Sequence, residues 1–88
     1  MKDTYMISMV TENKIRVLQR IAGILARNRL NIIHMNVQEM SGEETSQLSL
    51  TFESEEKTTM RVVQQLKRMI ELLEINVSNQ APKIQQFP

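Results

Sequence analysis

The hydrophobic period of this chain switches between two and 3.6 residues in one particular order, and that order leaves few folds open. Thr4 to Val10 is rich in Tyr, Ile, Met and Val and reads as a strand. From Lys14 to Arg29 the spacing becomes helical: Ile15, Val17, Leu18, Ile21, Ala22, Ile24 and Leu25 fall on one half of the wheel, and Arg16, Gln19, Arg20, Gly23 and Arg27 on the other. Asn13 stands where an N-cap belongs. Asn31 to Gln38 returns to alternation, with Ile33, Met35 and Val37 on one face and Ile32, His34 and Asn36 on the other. Met40 to Glu44 is a polar turn in which Gly42 is free to take positive φ. Leu48, Leu50 and Phe52 then alternate with Gln47, Ser49 and Thr51. A second helix follows, with a cap expected at Ser54 and an apolar half made of Met60, Val62, Val63, Leu66, Met69 and Ile70. Leu73, Ile75 and Val77 alternate in a last strand.

Two strand–helix–strand units with right-handed crossovers give an α+β fold of ferredoxin-like βαββαβ plan. The expectation is an antiparallel four-stranded sheet with two helices on one face. The domain is expected over residues 1–78, and residues 79–88, polar and with two prolines, as a flexible tail. The other sheet face would carry Met6, Val10 and Ile32 among Ser8, His34, Asn36 and Ser49. Part of that face, or a strand edge, is expected to meet a second copy, because 88 residues bury only about 60–65% of the unfolded surface.

Composition excludes several functions. With no cysteine there is no disulfide framework, thiol chemistry or Cys-based metal site. A net charge of +1 provides no field to attract nucleic acid or an anionic membrane. No stretch reads as a signal peptide or a transmembrane span, so a cytoplasmic location is expected. His34, the single histidine, has no acid, base or ligand partner at motif spacing, and a lone strand histidine is usually a surface residue. Acylphosphatase chemistry on this fold plan needs a glycine-rich anion loop, and Gly23 and Gly42 are not placed to make one. RNA binding needs stacked aromatics on the central strands, whereas Phe52 sits with the core residues and Phe87 in the tail. No catalytic residue and no metal set is identified.

What remains is the junction from Thr11 through Ile33. Asn13 before the first helix and Asn31 at the next strand are read as lying at one edge of the sheet, beside the helix N-terminal amides. There they could hold the ammonium and carboxylate of a free amino acid. Taken alone, the two asparagines are better explained as a helix cap and a turn residue.

The residues Glu12-Asn13, Leu18-x-Arg20-Ile21-x-Gly23-Ile24 and Arg27-x-Arg29-Leu30-Asn31-Ile32 resemble the ACT domain of acetolactate (acetohydroxyacid) synthase small regulatory subunits. Leu66 to Leu73 is similar to that family's second-helix ending, and the resemblance covers about residues 4–78. It implies a non-catalytic subunit that pairs through sheet edges as a homodimer and activates a large catalytic subunit. Thiamine diphosphate, Mg and FAD would reside on that partner, with no cofactor on this chain. It also implies an effector site for valine or another branched-chain amino acid, between paired domains. Carried across, the positions are Asn13, Arg16 and Asn31, with Val17, Leu18, Ile32 and Ile33 beside them.

Two departures from the pattern bear on that site. Arg16 replaces the motif glycine that lets an effector carboxylate approach the amides at the helix start, and Arg29 replaces a second glycine at the helix end. Arg16 either blocks the site or itself pairs with the carboxylate. The expectation is a subunit that still pairs and activates, with weak or altered valine feedback. A free-standing amino-acid sensor acting on another enzyme is the alternative, and a ligand-free adaptor a more distant one.

Overall fold

The computed structural model describes residues 2–40, 42 and 44–80. The elements run β1 (Asp3–Glu12), α1 (Ile15–Arg27), β2 (Asn31–Glu39), β3 (Thr45–Ser54), α2 (Glu56–Lys67) and β4 (Leu72–Gln80). They form one four-stranded sheet in the order β2-β3-β1-β4, with antiparallel neighbours throughout. This is the βαββαβ arrangement expected from the periodicity. The last strand runs to Gln80, two residues past the expected boundary at 78, and residues 81–88 of the expected tail lie outside the described residues. Ser41 and Glu43 of the turn lie outside them as well, whereas Gly42 takes φ +79°.

The core lies between the central strands and the helices. Tyr5, Ile7 and Met9 of β1 face the helices directly opposite Phe52, Leu50 and Leu48 of β3. Val17, Ile21, Ile24 and Leu25 of α1, with Val62, Val63 and Leu66 of α2, close over them. Phe52, the largest of the fully buried side chains, stacks on Tyr5 with ring centroids 5.9 Å apart. The other sheet face is mostly polar, which suits a face left to solvent.

Three expectations need correction. The first concerns β2. The register pairs Ile32 with Phe52 but His34 with Thr51, so Ile33 is an extra bulged residue. A bulge reverses the alternation on one side, so Ile32 joins Met35 and Val37 on the helix side of the sheet rather than His34 and Asn36 on the other. A second irregularity, between Val10 and Thr11, pairs Thr11 with Leu72 and leaves Leu73 unpaired at the start of β4. Leu72 therefore packs on the core, while Leu73 is exposed.

The helix faces are also narrower than expected. Ile15 is exposed at the first residue of α1, and Ile70 is 90% exposed in the turn beyond α2. Met60 is exposed because the buried stripe of α2 is Thr59, Val62, Val63 and Leu66. Thr59 can sit inside because its hydroxyl donates to the Glu55 carbonyl at 3.0 Å.

The third correction is to the caps. α1 starts from Lys14 and α2 from Glu55, neither with a capping side-chain bond. The Asn13 side chain is held elsewhere, and the Ser54 hydroxyl donates to the Glu55 carbonyl instead of accepting from a helix amide.

Candidate functional site

Asn13 follows β1, where the chain leaves the sheet for α1. Its amide Nδ2 donates to Glu39 Oε2 at the end of β2 (3.2 Å), and its Oδ1 accepts from the Ser46 hydroxyl near the start of β3 (2.6 Å). Its backbone amide donates to the Glu44 carbonyl at 2.9 Å. Ser46 is buried, so the Asn13 oxygen is the partner that keeps its hydroxyl from being stranded. Asn13 thus clamps three chain segments at one end of the sheet. The first-turn amides of α1 are left without a side-chain cap.

Asn31 opens β2 and donates to Glu53 Oε1 at 2.9 Å. It pairs across the sheet with Glu53, which in turn pairs with Thr4 at the beginning of β1. Asn13 and Asn31 therefore lie at opposite ends of the sheet, contrary to the single-edge arrangement expected from their order. The nine residues from Asn31 to Glu39 span about 26 Å of extended chain. The reason is the crossover: it returns the chain to the start of a strand running in the same direction as β1, so the end of one strand and the start of the next cannot meet.

The other expected site residues divide in the same way. Val17 is buried in the core, and Leu18 is partly buried against it. Neither Ile32 nor Ile33 is covered by its own chain, with exposures of 42% and 56%. Arg16 lies in the first turn of α1 and lines a cavity between α1 and α2. Arg29 is the one non-glycine residue at positive φ (54°) among those described. It closes a complete helix C-cap, in which the Arg29 amide donates to the Ala26 carbonyl (3.0 Å) and the Leu30 amide to the Leu25 carbonyl (3.4 Å).

The sequence reading missed Glu39, Ser46 and Glu53. A short polar side chain beside an unpaired strand end calls for tertiary partners, but its register with distant strands is invisible without the sheet order. Among the described residues no group of three or more His, Cys, Asp or Glu could hold a metal ion. Among the described residues no helix is long and apolar enough to cross a membrane.

The edge itself is the second component of the site. Every residue of β2 is exposed, including Ile32, Met35 and Val37 on the helix side. A cavity of about 250 Å³ lies between Ile32 and Met35 and α1, bounded by Ala22, Leu25, Ala26, Arg29 and Leu30. Ile15, Ala22 and Ala26 recur at intervals that place them on one exposed stripe of α1. An unpaired strand with an apolar row and a flanking apolar helix stripe is the form of a surface awaiting another chain.

A family model described as the AHAS small subunit-like ACT domain matches residues 7–74. Two probable acetolactate synthase small subunits are similar to the chain. That of Archaeoglobus fulgidus is 32% identical over 70 residues, and that of Methanothermobacter thermautotrophicus 27% over 73. These matches cover 80% and 83% of this chain but 44% of each relative, so the chain spans a little under half their length. Among solved structures, the acetolactate synthase small subunit of Thermotoga maritima superposes with a TM-score of 0.72 at 24% identity, over 84% of this chain and 46% of that one. The ACT domain of GTP pyrophosphokinase from Chlorobium tepidum gives 0.74 at 14% identity, over 89% of this chain and all of that one. At such identities the structures speak to the fold alone, and the family rests on the 7–74 match: the chain belongs to the AHAS small subunit-like ACT domains.

Proposed function

We propose that this chain is the non-catalytic small regulatory subunit of an acetolactate synthase. Two copies pair through their β2 edges, and the pair activates a large catalytic subunit of branched-chain amino acid synthesis. Thiamine diphosphate, Mg and FAD belong to that large subunit. The observation that carries the reading, beside the family match, is the division of the candidate site into two halves at opposite ends of an uncovered edge strand.

An antiparallel pairing of two β2 strands centred on Met35 sets Asn31 of the partner subunit opposite Glu39, the residue that holds Asn13. Each pair would then contain two complete sites. Each site combines Asn13 and the uncapped α1 amides of one copy with the Asn31–Ile33 segment of the other. A free amino acid has complementary chemistry: its carboxylate suits the amides at the helix start, and its ammonium the side-chain oxygens. Val17 is too deeply buried for direct contact and acts by shaping the first turn.

Arg16 modifies that site. Its Cβ and stem stand in the first turn of α1, where the family motif places glycine, and a cation there is also unfavourable toward the helix dipole by ~0.3–1 kcal/mol. Valine feedback is accordingly weak or altered. The test is the rate of acetolactate formation by the large subunit of the same organism, with and without this chain, as valine is titrated. An increase in rate with little valine response is expected. No change in rate together with no co-purification would defeat the reading and favour a free-standing amino-acid sensor.

A further inference from the structure

A concavity on the helix layer lies away from β2. A groove of about 700 Å³ runs between α1 and α2 over a floor that includes Gly23, Ile24 and Met69. Its rim carries four arginines, Arg16, Arg20 and Arg27 from α1 and Arg68 from the end of α2, and no acidic residue. The three on α1 are spaced i, i+4 and i+11, which places them within about 40° of one another around the helix and spreads them over about 16 Å of its length. A net charge of only +1 for the whole chain conceals this concentration.

Arg20 shows what the groove accepts. Both oxygens of Glu71 take hydrogen bonds from its Nη1, at 3.0 and 3.1 Å. Among the described residues Arg16, Arg27 and Arg68 have no acidic partner. Arg16 and Arg27, eleven residues apart on α1, and Arg68 beyond α2 spread positive charge along the groove rather than gathering it at one point. They suit a row of carboxylates on a rod-like element, with the apolar floor to receive its non-polar side chains.

We propose that the α1/α2 groove is the surface by which this chain docks on an acidic helix of the catalytic subunit. The inference rests on the regulatory-subunit reading for the partner's identity, but the groove and its charges do not depend on it. The docking surface and the β2 edge lie on different sides of α1, so a pair of chains could hold its effector sites and its partner at once.

The test measures binding of the full chain to the immobilised catalytic subunit of the same organism for three proteins: wild type, R27E/R68E, and K57E/R61E. The last makes the same charge change on α2 outside the groove. Circular dichroism and thermal midpoints confirm that each is folded; all four positions are exposed. Wild-type binding that weakens with salt, falls at least tenfold in R27E/R68E and changes less than about twofold in K57E/R61E is the expected result. Wild-type binding equal to that of R27E/R68E, or weakened alike by both variants, overturns the docking surface and leaves the regulatory reading standing. No binding by any of the three defeats both. Loss of self-association in R27E/R68E would place a second copy in the groove, and tight pyrophosphate binding by wild type alone would make it a small-anion site; either result overturns the proposal.

Discussion

Replacing Arg29 by glycine should make this protein more stable, although it removes a long side chain from the α1/β2 cavity. At φ 54° Arg29 occupies the left-handed region, where contact between Cβ and the backbone costs roughly 1–2 kcal/mol for an L-residue other than glycine. The C-cap bonds from Arg29 and Leu30 hold it there, and a glycine would keep both because they use only the backbone. Against the relief stands the greater freedom of glycine in the unfolded chain, about 0.5–1 kcal/mol. The net expectation for R29G is a gain of about 0.5–1 kcal/mol, read as a urea midpoint higher by roughly 0.5–1 M at a typical slope for a domain of this size. Protein concentration must be held constant, since any self-association adds to apparent stability. R29A is the decisive control: it shortens the side chain but keeps Cβ, so it should gain little. Equal stability of R29A and R29G, or a loss in R29G, would refute the strain argument.

Three further outcomes follow from the geometry. N13A should cost about 1–2 kcal/mol by stranding the buried Ser46 hydroxyl, and N13A/S46A should cost less than the sum of the single changes; additive losses in a denaturation cycle would count against the clamp. Tyr5, the chain's single tyrosine, has its phenol pushed above the ordinary range by burial, and further by Asp3 and Glu56. Its contribution to stability is therefore complete below the ordinary phenol pKa and lost as pH rises through the raised one; an ultraviolet titration with an ordinary midpoint while the fold persists would contradict this. V37K should dissociate a pair formed through β2, while V77K on the opposite edge should not, and sedimentation velocity distinguishes them.

The order of elements was legible because each has its own period and the β3 alternation is unbroken from Gln47 to Phe52. The bulge at Ile33 was not. Asn31-Ile32-Ile33 contains no glycine or proline to mark an irregularity, and with two adjacent isoleucines either one could have faced the helices. The caps failed for a different reason. Asn13 and Ser54 have the chemistry of N-caps, but Asn13 finds tertiary partners in Ser46 and Glu39, and only the sheet register reveals them. The distance between Asn13 and Asn31, by contrast, could have been deduced: a parallel return through a helix necessarily begins at the far end of the sheet. Proximity along the chain is not proximity in space here.

That separation also constrains how the two free edges can be used. β4 is partly anchored, since Leu72 and Ile75 pack on the core; β2 contributes no buried residue at all. A chain of 88 residues gains most by covering the edge where Ile32, Met35 and Val37 are exposed together. Under the proposed pairing an effector would touch both copies, so its binding and the stability of the pair would be thermodynamically linked. A chain in which Arg16 weakened effector binding would receive little of that support, and its pair would rest on the backbone hydrogen bonds of the β2 seam together with apolar contact. The stripe formed by Ile15, Ala22 and Ala26 beside the β2 row is suited to that task, because small alanines allow a second α1 to approach closely over the seam. Under the proposed function a weakened effector site and an apolar edge belong together, because a pair that persisted without an effector would depend on one little.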